Sequence, residues 1–466
     1  MDAKKKLMLA FYGDDFTGST DALEFLSRAG VRTRLFLDNP APGKIDTMDN
    51  LDAIGIAGKT RAMVPAEMAE TLQQAFSVLK KINPRHVHYK VCSTFDSSPA
   101  IGNIGTAIET SIRIFGNEFT PILVAAPHLG RYSAFGNLFA RMGIGSAGAI
   151  YRLDRHPSMC SHPVTPAPES DLRLHLSRQT NLPMGLVDLV AMENPPEMIE
   201  KKLNEEITLG KKVIFFDAMY EHQMAAIGEV IDKKANGKSP LFSVGSSGIE
   251  KALGDFWEKE GIFKTQVHWE ELAECKPMLV ISGSVSPVTA SQIEWAVANG
   301  FVNIPVEPES LNNDESAESY IEEYQRKIFE SLRRGKSVIL HTSLGPDDDR
   351  NKKIKSIFSQ KGWSKQKIRT QTAKEFGRVL GQSARKALEQ IPVKRLVIAG
   401  GDTSSYVARK LGIEAVEMIT PLYPGAPVCR AFAKGSPVNG IEVNLKGGQM
   451  GDKTYFGALQ KGKMIK

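Results

Sequence analysis

The sequence predicts an α/β protein of two domains, each with a largely parallel sheet flanked by helices. Three observations carry this expectation. Short apolar runs and amphipathic helical patterns alternate from end to end, as strands joined by crossover helices do. Two of those runs stop at related turns that open straight into a helix, Gly13-Asp14-Asp15-Phe16-Thr17-Gly18 and Gly400-Gly401-Asp402-Thr403. At 466 residues the chain exceeds what one ordinary core accommodates.

The first strand is the apolar run Lys6 to Tyr12, followed by a helical pattern through Ala22, Leu23, Phe25, Leu26 and Ala29. Further strands are expected over residues 31–37, 53–57, 86–91, 121–126, 186–190, 212–217 and 241–244, with a helix over residues 65–82. Residues 162–170 read as a proline-stiffened loop capping a helix that starts near Asp171. Periodicity weakens over residues 261–276, which sets the expected division: domain 1–260, linker 261–276 and domain 277–466. The pattern then restarts with strands over residues 278–281, 337–341 and 395–399, and helices after Pro287 and over residues 373–388. No tandem repeat of a solenoid or propeller is present.

Composition narrows the function classes. A hydrophobic content of 42% with 24% charged residues is that of a globular protein, and a formal charge of +6 is small for this length. The run Lys4-Lys5-Lys6 is a solvated terminus and no nucleic-acid patch; a mild positive balance suits small anionic substrates. The four cysteines, Cys92, Cys160, Cys275 and Cys429, are scattered, which argues for a reducing, cytoplasmic setting and against a disulfide frame. His156, Cys160 and His162 raise the question of zinc, but the prolines beside them and the irregular spacing disfavour it, so no metal-ligand set is expected. No apolar run approaches the ~20 residues of a membrane span, and no secretory leader is read at the start.

Chemistry is expected at the carboxyl ends of the strands, where ligands bind in open α/β sheets. Asp14 and Asp15 could coordinate a cation, orient hydroxyls or accept a proton, with Thr17 beside them. A plain helix cap would need fewer such groups. Gly58-Lys59-Thr60 resembles the end of a phosphate loop, but Ala53 stands where that loop needs glycine, leaving Lys59 and Arg61 as cations at a strand end. Lys90, followed by Ser93 and Thr94, suits a polyhydroxylated anion. In the C-terminal half, small-residue turns at Ser282, Ser284 and Ser286, at Gly400, Gly401, Asp402 and Thr403, and at Lys446, Gly447 and Gly448 could cradle phosphates. No dinucleotide fingerprint or protein-kinase signature is present. An acceptor half with a phosphate half describes phosphoryl transfer in a cleft between the domains.

The ordered set of Gly13-Asp14-Asp15-Phe16-Thr17-Gly18, Pro163-Val164-Thr165-Pro166, Gly245-Ser246-Ser247-Gly248, Ser282 to Ser286, Gly400 to Thr403 and Lys446-Gly447-Gly448 resembles the four-carbon acid sugar kinase family. That family phosphorylates tetronates and related sugar acids with ATP. The resemblance implies a sugar-acid-binding N-terminal domain, in which Asp14, Asp15, Thr17, Arg61 and Lys90 face the acid. It also implies a nucleotide-binding C-terminal domain, in which the three turns face ATP. Members acting on simple tetronates read Asp-Ser-Thr-Leu-Arg-Gly shortly after the lysine; here the text is Cys92-Ser93-Thr94-Phe95-Asp96-Ser97-Ser98. Losing that arginine points to an oxidised or branched acid such as 3-oxo-isoapionate.

The expected activity is therefore an ATP- and Mg²⁺-dependent sugar-acid kinase of carbohydrate metabolism, with a homo-oligomer left open. The alternatives are a non-catalytic sugar-acid sensor on the same scaffold, disfavoured by the intact glycine turns, and a dehydrogenase, disfavoured by the missing fingerprint. Asp15 is the first choice for general base and Asp14 the second. Strand alternation is expected to keep the two adjacent carboxylates from facing the same way.

Overall fold

The computed structural model describes residues 6–41, 43, 45, 50–142, 148–161, 165–359 and 365–464. The chain divides into two compact units, one comprising Met1–Arg34 with Asp38–Val267 and the other Leu35–Leu37 with His268–Lys466. The turn containing Pro163 and Val164, like His162, Lys4 and Lys5, lies outside the described residues. Among the described residues no helix is long and apolar enough to cross a membrane.

The first unit opens with β1 (Leu9–Gly13), α1 (Ser19–Arg28), β2 (Thr33–Phe36), β3 (Ala53–Ala57), α2 (Pro65–Ile82), β4 (His86–Lys90), α3 (Ile104–Phe115) and β5 (Thr120–Leu123). A small excursion follows: β6 (Arg131–Ala134), β7 (Asn137–Arg141), β8 (Ile150–Arg152) and α4 (Leu172–Leu176). The main pattern then resumes with β9 (Met184–Val187), α5 (Leu189–Met192), α6 (Pro196–Thr208), β10 (Val213–Phe216), α7 (His222–Lys233), β11 (Leu241–Gly245) and α8 (Gly248–Lys259). Seven strands form a parallel sheet in the order β3-β1-β4-β11-β5-β10-β9. Its central strands are buried at every position; β1 and β11 read as mostly apolar runs, whereas β4, His86-Val87-His88-Tyr89-Lys90, buries polar groups at alternate positions. Phe76 of α2 anchors one face, packing on Tyr12, Tyr89, Phe115 and Phe242.

Several sequence expectations are corrected here. The strand expected over residues 186–190 ends at Val187, because the Asp188 carboxylate accepts the backbone N–H of Ala191 and starts α5. The strand expected through residue 126 ends at Leu123, and Pro127 begins a single 3₁₀ turn. Helix α4 is capped by Asp171 itself, whose carboxylate accepts from the Arg173 N–H at 2.9 Å; the preceding loop does not supply the cap. The antiparallel sheet β6-β7-β8 was not expected, since its strands are short and half-buried. It is tied to the main sheet by Asp217, just after β10, which accepts from Ser133 Oγ and from the Gly136 and Leu189 backbone N–H groups.

The second unit contains β12 (Leu279–Ser282), α9 (Pro287–Ala298), β13 (Val302–Pro305), α10 (Asp314–Arg333), β14 (Val338–His341), α11 (Asp349–Ser359), α12 (Lys365–Leu388), β15 (Arg395–Ala399), α13 (Asp402–Lys410), β16 (Ala415–Tyr423), β17 (Ala426–Phe432), β18 (Glu442–Lys446) and α14 (Tyr455–Lys461). Strands β13-β14-β12-β15-β18 run parallel, and β17 and β16 extend the sheet antiparallel. Met278, Val280, Ile293, Ile339, Val397, Tyr455 and Phe456 belong to one core that packs α9 and α14 on this sheet. The order puts β12, β15 and β18 side by side, so the turns that follow them share one edge.

Candidate active site

In the first unit, β3, β1, β4 and β11 are neighbours whose carboxyl ends deliver the expected residues to one edge. The Gly58 N–H bonds to the Gly13 carbonyl at 2.9 Å, the Arg61 N–H to Asp14 O at 3.0 Å, and the Asp14 N–H to Lys90 O at 2.9 Å. These bonds continue the sheet pattern past the strands and fix the turns against each other. Glycine is required at position 58 because a Cβ there would lie 2.3 Å from the Tyr12 ring and 2.4 Å from Gly13 O. This close approach is what the Gly58-Lys59-Thr60 motif serves.

The centre of the edge is Arg61. Its Nε and Nη2 donate to the two oxygens of Asp14 at 2.9 and 2.7 Å, and Nη2 also donates to Asp15 Oδ1 at 2.9 Å. The two carboxylates therefore meet on one guanidinium, contrary to the expectation from strand alternation. The strand ends at Gly13, and beyond it the chain turns, so the two-residue period no longer applies. Asp14 is only 2% exposed, and burial raises its pKa despite the opposing pull of Arg61. Burial also works against the Arg61 charge, yet Asp14 and Asp15 together hold its pKa well above the usual value. Asp15 is half-buried; it accepts from the Gly18 N–H at 3.1 Å and from Thr17 Oγ1 at 3.3 Å, so the turn is also capped by it.

Lys90 is buried at the end of β4 and pairs with Asp21 at 3.2 Å. Burial disfavours its charge, but Asp21, Asp15, Cys92 and Asp14 more than offset that and raise its pKa. The following loop is a hydrogen-bonded knot: Thr94 Oγ1 donates to Asp96 Oδ1 at 2.6 Å and lies 3.0 Å from Cys92 Sγ. Phe95 takes a φ of 56°, a costly conformation for a side chain of that size, with its ring buried. Ser97 is occupied by His175 and Gln179. Ser93 is half-buried beside the knot, and Lys59 is exposed next to Arg61. Asp21, three residues beyond the Gly13–Gly18 turn, carries no role in the sequence reading, because only the fold brings it to Lys90.

In the second unit, the turns after β12, β15 and β18 converge. A Cβ on Gly400, whose φ is +135°, would lie 3.3 Å from the Ser284 backbone nitrogen, and one on Gly448 would lie 2.7 Å from Ser284 Oγ. Ser282 and Ser284 each accept a backbone N–H two residues on, and Ser286 caps α9 through the Val288 N–H. Thr403 is buried against Gly283. Gly401 and Asp402 are exposed; a Cβ on Gly401 would meet nothing within 4 Å, and Asp402 pairs loosely with Arg369 at 3.3 Å. Gly447 is half-buried next to Lys446. Lys446 Nζ donates to Thr289 Oγ1 at 3.1 Å and to Gly447 O at 2.9 Å and sits over the Tyr455 ring. It has no carboxylate partner among the described residues, and burial lowers its pKa to about 7. Among the described residues, no group of three or more His, Cys, Asp or Glu side chains could hold a metal.

A family model described as a sugar-binding N-terminal domain matches residues 9–253, and one described as a nucleotide-binding C-terminal domain matches residues 279–456. The chain is 38% identical over 461 residues to a 3-oxo-isoapionate kinase of Paraburkholderia graminis, covering 98% of this chain and 95% of that one. The chain belongs to the four-carbon acid sugar kinase family. It is a sugar-acid kinase, and its nucleotide-binding domain makes ATP the phosphoryl donor. A 3-oxo-tetronate kinase of Pectobacterium atrosepticum is 26% identical, covering 98% of this chain and 99% of that one. A solved structure from Salmonella typhimurium LT2 shares the fold, with a TM-score of 0.75 at 24% identity, covering 98% and 99% of the two chains.

In this kinase Arg61 is the cation that lets two adjacent carboxylates coexist. Arg61→Gln is expected to cost about 3 kcal/mol, the low end for a broken buried pair, since the guanidinium side is 26% exposed. The sign of the pH dependence follows from Asp14. Its folded pKa is raised, so the folded state holds the extra proton and loses stability as pH rises from the unfolded value through the folded one. Without Arg61 that window extends upward. Thermal melting of Arg61→Gln should therefore fall further below wild type at pH 7 than at pH 5, and adding Asp14→Asn should recover part of the loss.

Proposed function

We propose that this protein phosphorylates a hydroxyl of a 3-oxo or branched sugar acid, of which 3-oxo-isoapionate is the type, in the cytoplasm. The observation that carries this reading is the 38% identity to the Paraburkholderia 3-oxo-isoapionate kinase, against 26% to the Pectobacterium 3-oxo-tetronate kinase. The loop after Lys90 supports it: Cys92, Thr94 and Asp96 form a neutral-to-acidic knot with no guanidinium in it. The division into domains 1–260 and 277–466, joined by residues 261–276, belongs to the same reading.

Within the first domain, Thr17, Lys59, Lys90, Ser93 and Thr94 hold the acid, and Asp15 takes the proton from the acceptor hydroxyl. Asp15 is chosen over Asp14 because Asp14 is buried in a bidentate pair with Arg61, whereas Asp15 gives Arg61 one oxygen only. Arg61 and the Gly18 N–H then orient the base, and Asp14 holds Arg61. In the second domain, the backbone of Gly400, Gly401, Gly447 and Gly448 and the hydroxyls of Ser282, Ser284, Ser286 and Thr403 surround the phosphates. Lys446 supplies a charge that an incoming phosphate would favour. Asp402 would be the protein's contribution to holding Mg²⁺, which would supply charge neutralisation for the transferring phosphoryl group. The exposed Asp402 carboxylate fits that role, its partner among the described residues being the solvent-facing Arg369.

A coupled ADP-release screen over four- and five-carbon sugar acids and their 3-oxo forms tests the substrate. A 3-oxo or branched acid should outperform D-threonate and D-erythronate; preference for a simple tetronate would overturn this choice. Asp15→Asn should lower kcat by ~10²–10⁴-fold with little change in melting temperature, the usual weight of general-base help. Gly401→Leu, which the protein itself has room for, should raise the KM for ATP at least tenfold and leave the KM for the acid unchanged. Parallel loss of both affinities would move the nucleotide elsewhere.

A further inference from the structure

We propose that Arg131 is the group that grips the carboxylate of the sugar acid, through the Nε–Nη2 edge of its guanidinium; this rests on the substrate class proposed above. Arg131 opens β6, the first strand of the small antiparallel sheet, and is 6% exposed. Its Nη1 is fully engaged, donating to the carbonyls of Leu129, Gly130 and Arg141 at 3.2, 3.2 and 3.0 Å. Among the described residues Nε is buried without any hydrogen-bond partner, and the hydrogen bonds of this guanidinium all run through Nη1. The edge left bare is the one that meets a carboxylate with two parallel bonds.

No carboxylate among the described residues lies within ion-pair distance of this guanidinium. A buried cation of that kind is costly unless an anion completes it. Burial accordingly disfavours its charge, with only weak help from Cys92 and Asp96. Cys92 and Asp96 are within electrostatic reach of Arg131, and the same Cys92 thiol is within reach of Arg61, so both arginines lie near the loop after β4. Arg61, the other arginine there, is already held side-on by Asp14 and has no such edge to offer. Arg131 is held in place from behind: Asp217 binds Ser133 and Gly136, and the Ser133 N–H bonds to Ala218 O, which fixes the register of β6. The Thr94–Asp96 pair beside it can take the hydroxyl or oxo substituents of the same ligand.

The test compares the best acid of the screen with its carboxamide on wild type, Arg131→Lys and Arg131→Gln. Wild type should prefer the acid. Arg131→Gln should raise the KM for the acid roughly 30-fold or more, the range for truncating one member of a buried charged pair, while the carboxamide changes little. Arg131→Lys, which keeps the charge without the fork, should fall in between. Unchanged ATP binding by calorimetry shows that the variants fold. Equal KM increases for acid and carboxamide, or acid affinity within threefold of wild type in Arg131→Gln, would overturn the assignment. If wild type turns over no acid in the screen, the substrate reading fails separately. The Arg131 assignment is then decided by calorimetric binding of D-threonate, expected for wild type and lost in Arg131→Gln; no binding to wild type would overturn it.

Discussion

One guanidinium placed between two adjacent carboxylates decides how the sugar-binding edge is built. Arg61 reaches from the turn after β3 to Asp14 and Asp15 after β1, and without it two like charges so close together would have no cation between them. The glycines around it follow from the same constraint. Gly58 lets the β3 turn lie on the Tyr12 ring, and Gly18 leaves room for the Asp15 carboxylate, whose Oδ1 would sit 2.1 Å from a Cβ there. The arrangement separates the roles of two residues of identical chemistry. Asp14 is the buried partner of Arg61, and Asp15 keeps an oxygen turned toward Thr17 at the half-open side.

The two units manage charge in opposite ways. In the first, the buried Lys90 and the half-buried Arg61 have carboxylates beside them, and their charges are stabilised before any ligand arrives. In the second, Lys446 is buried among a hydroxyl, a carbonyl and an aromatic ring, with no carboxylate beside it among the described residues. A group held near neutrality in this way gains most from a phosphate, because the incoming anion supplies the missing partner. Arg131 is the exception in the first unit, and its bare edge is the feature there that an acid of the substrate would complete.

Much of this was legible in the sequence. The strands ending at Gly13, Ala57, Gly245, Ser282 and Ala399 are buried on both faces, so their mostly apolar runs are continuous and easily seen, whereas β4, equally buried, is polar at alternate positions. Helix α2 was readable because an apolar stripe of Met68, Leu72, Ala75, Phe76 and Leu79 follows Pro65. The small sheet β6-β7-β8 was not, because three- to five-residue strands with half-buried faces give too few positions for a period to emerge. Nor was the start of α5, where the Asp188 cap ends an apolar run that otherwise reads as strand.

By itself, the sequence determined the α/β class, the alternation of strand and helix, and which turns hold the reactive residue types, because these follow from local periodicity and from the chemistry of small and charged side chains. Partnership was decided only by the tertiary structure. That Arg61 binds both aspartates, that Lys90 meets Asp21, and that Arg131 is buried with an unpaired edge depend on strand order and on bonds between residues up to 69 positions apart along the chain. Burial, which raises the pKa of Asp14 and lowers that of Lys446, comes from those same long-range contacts, and no local pattern encodes it.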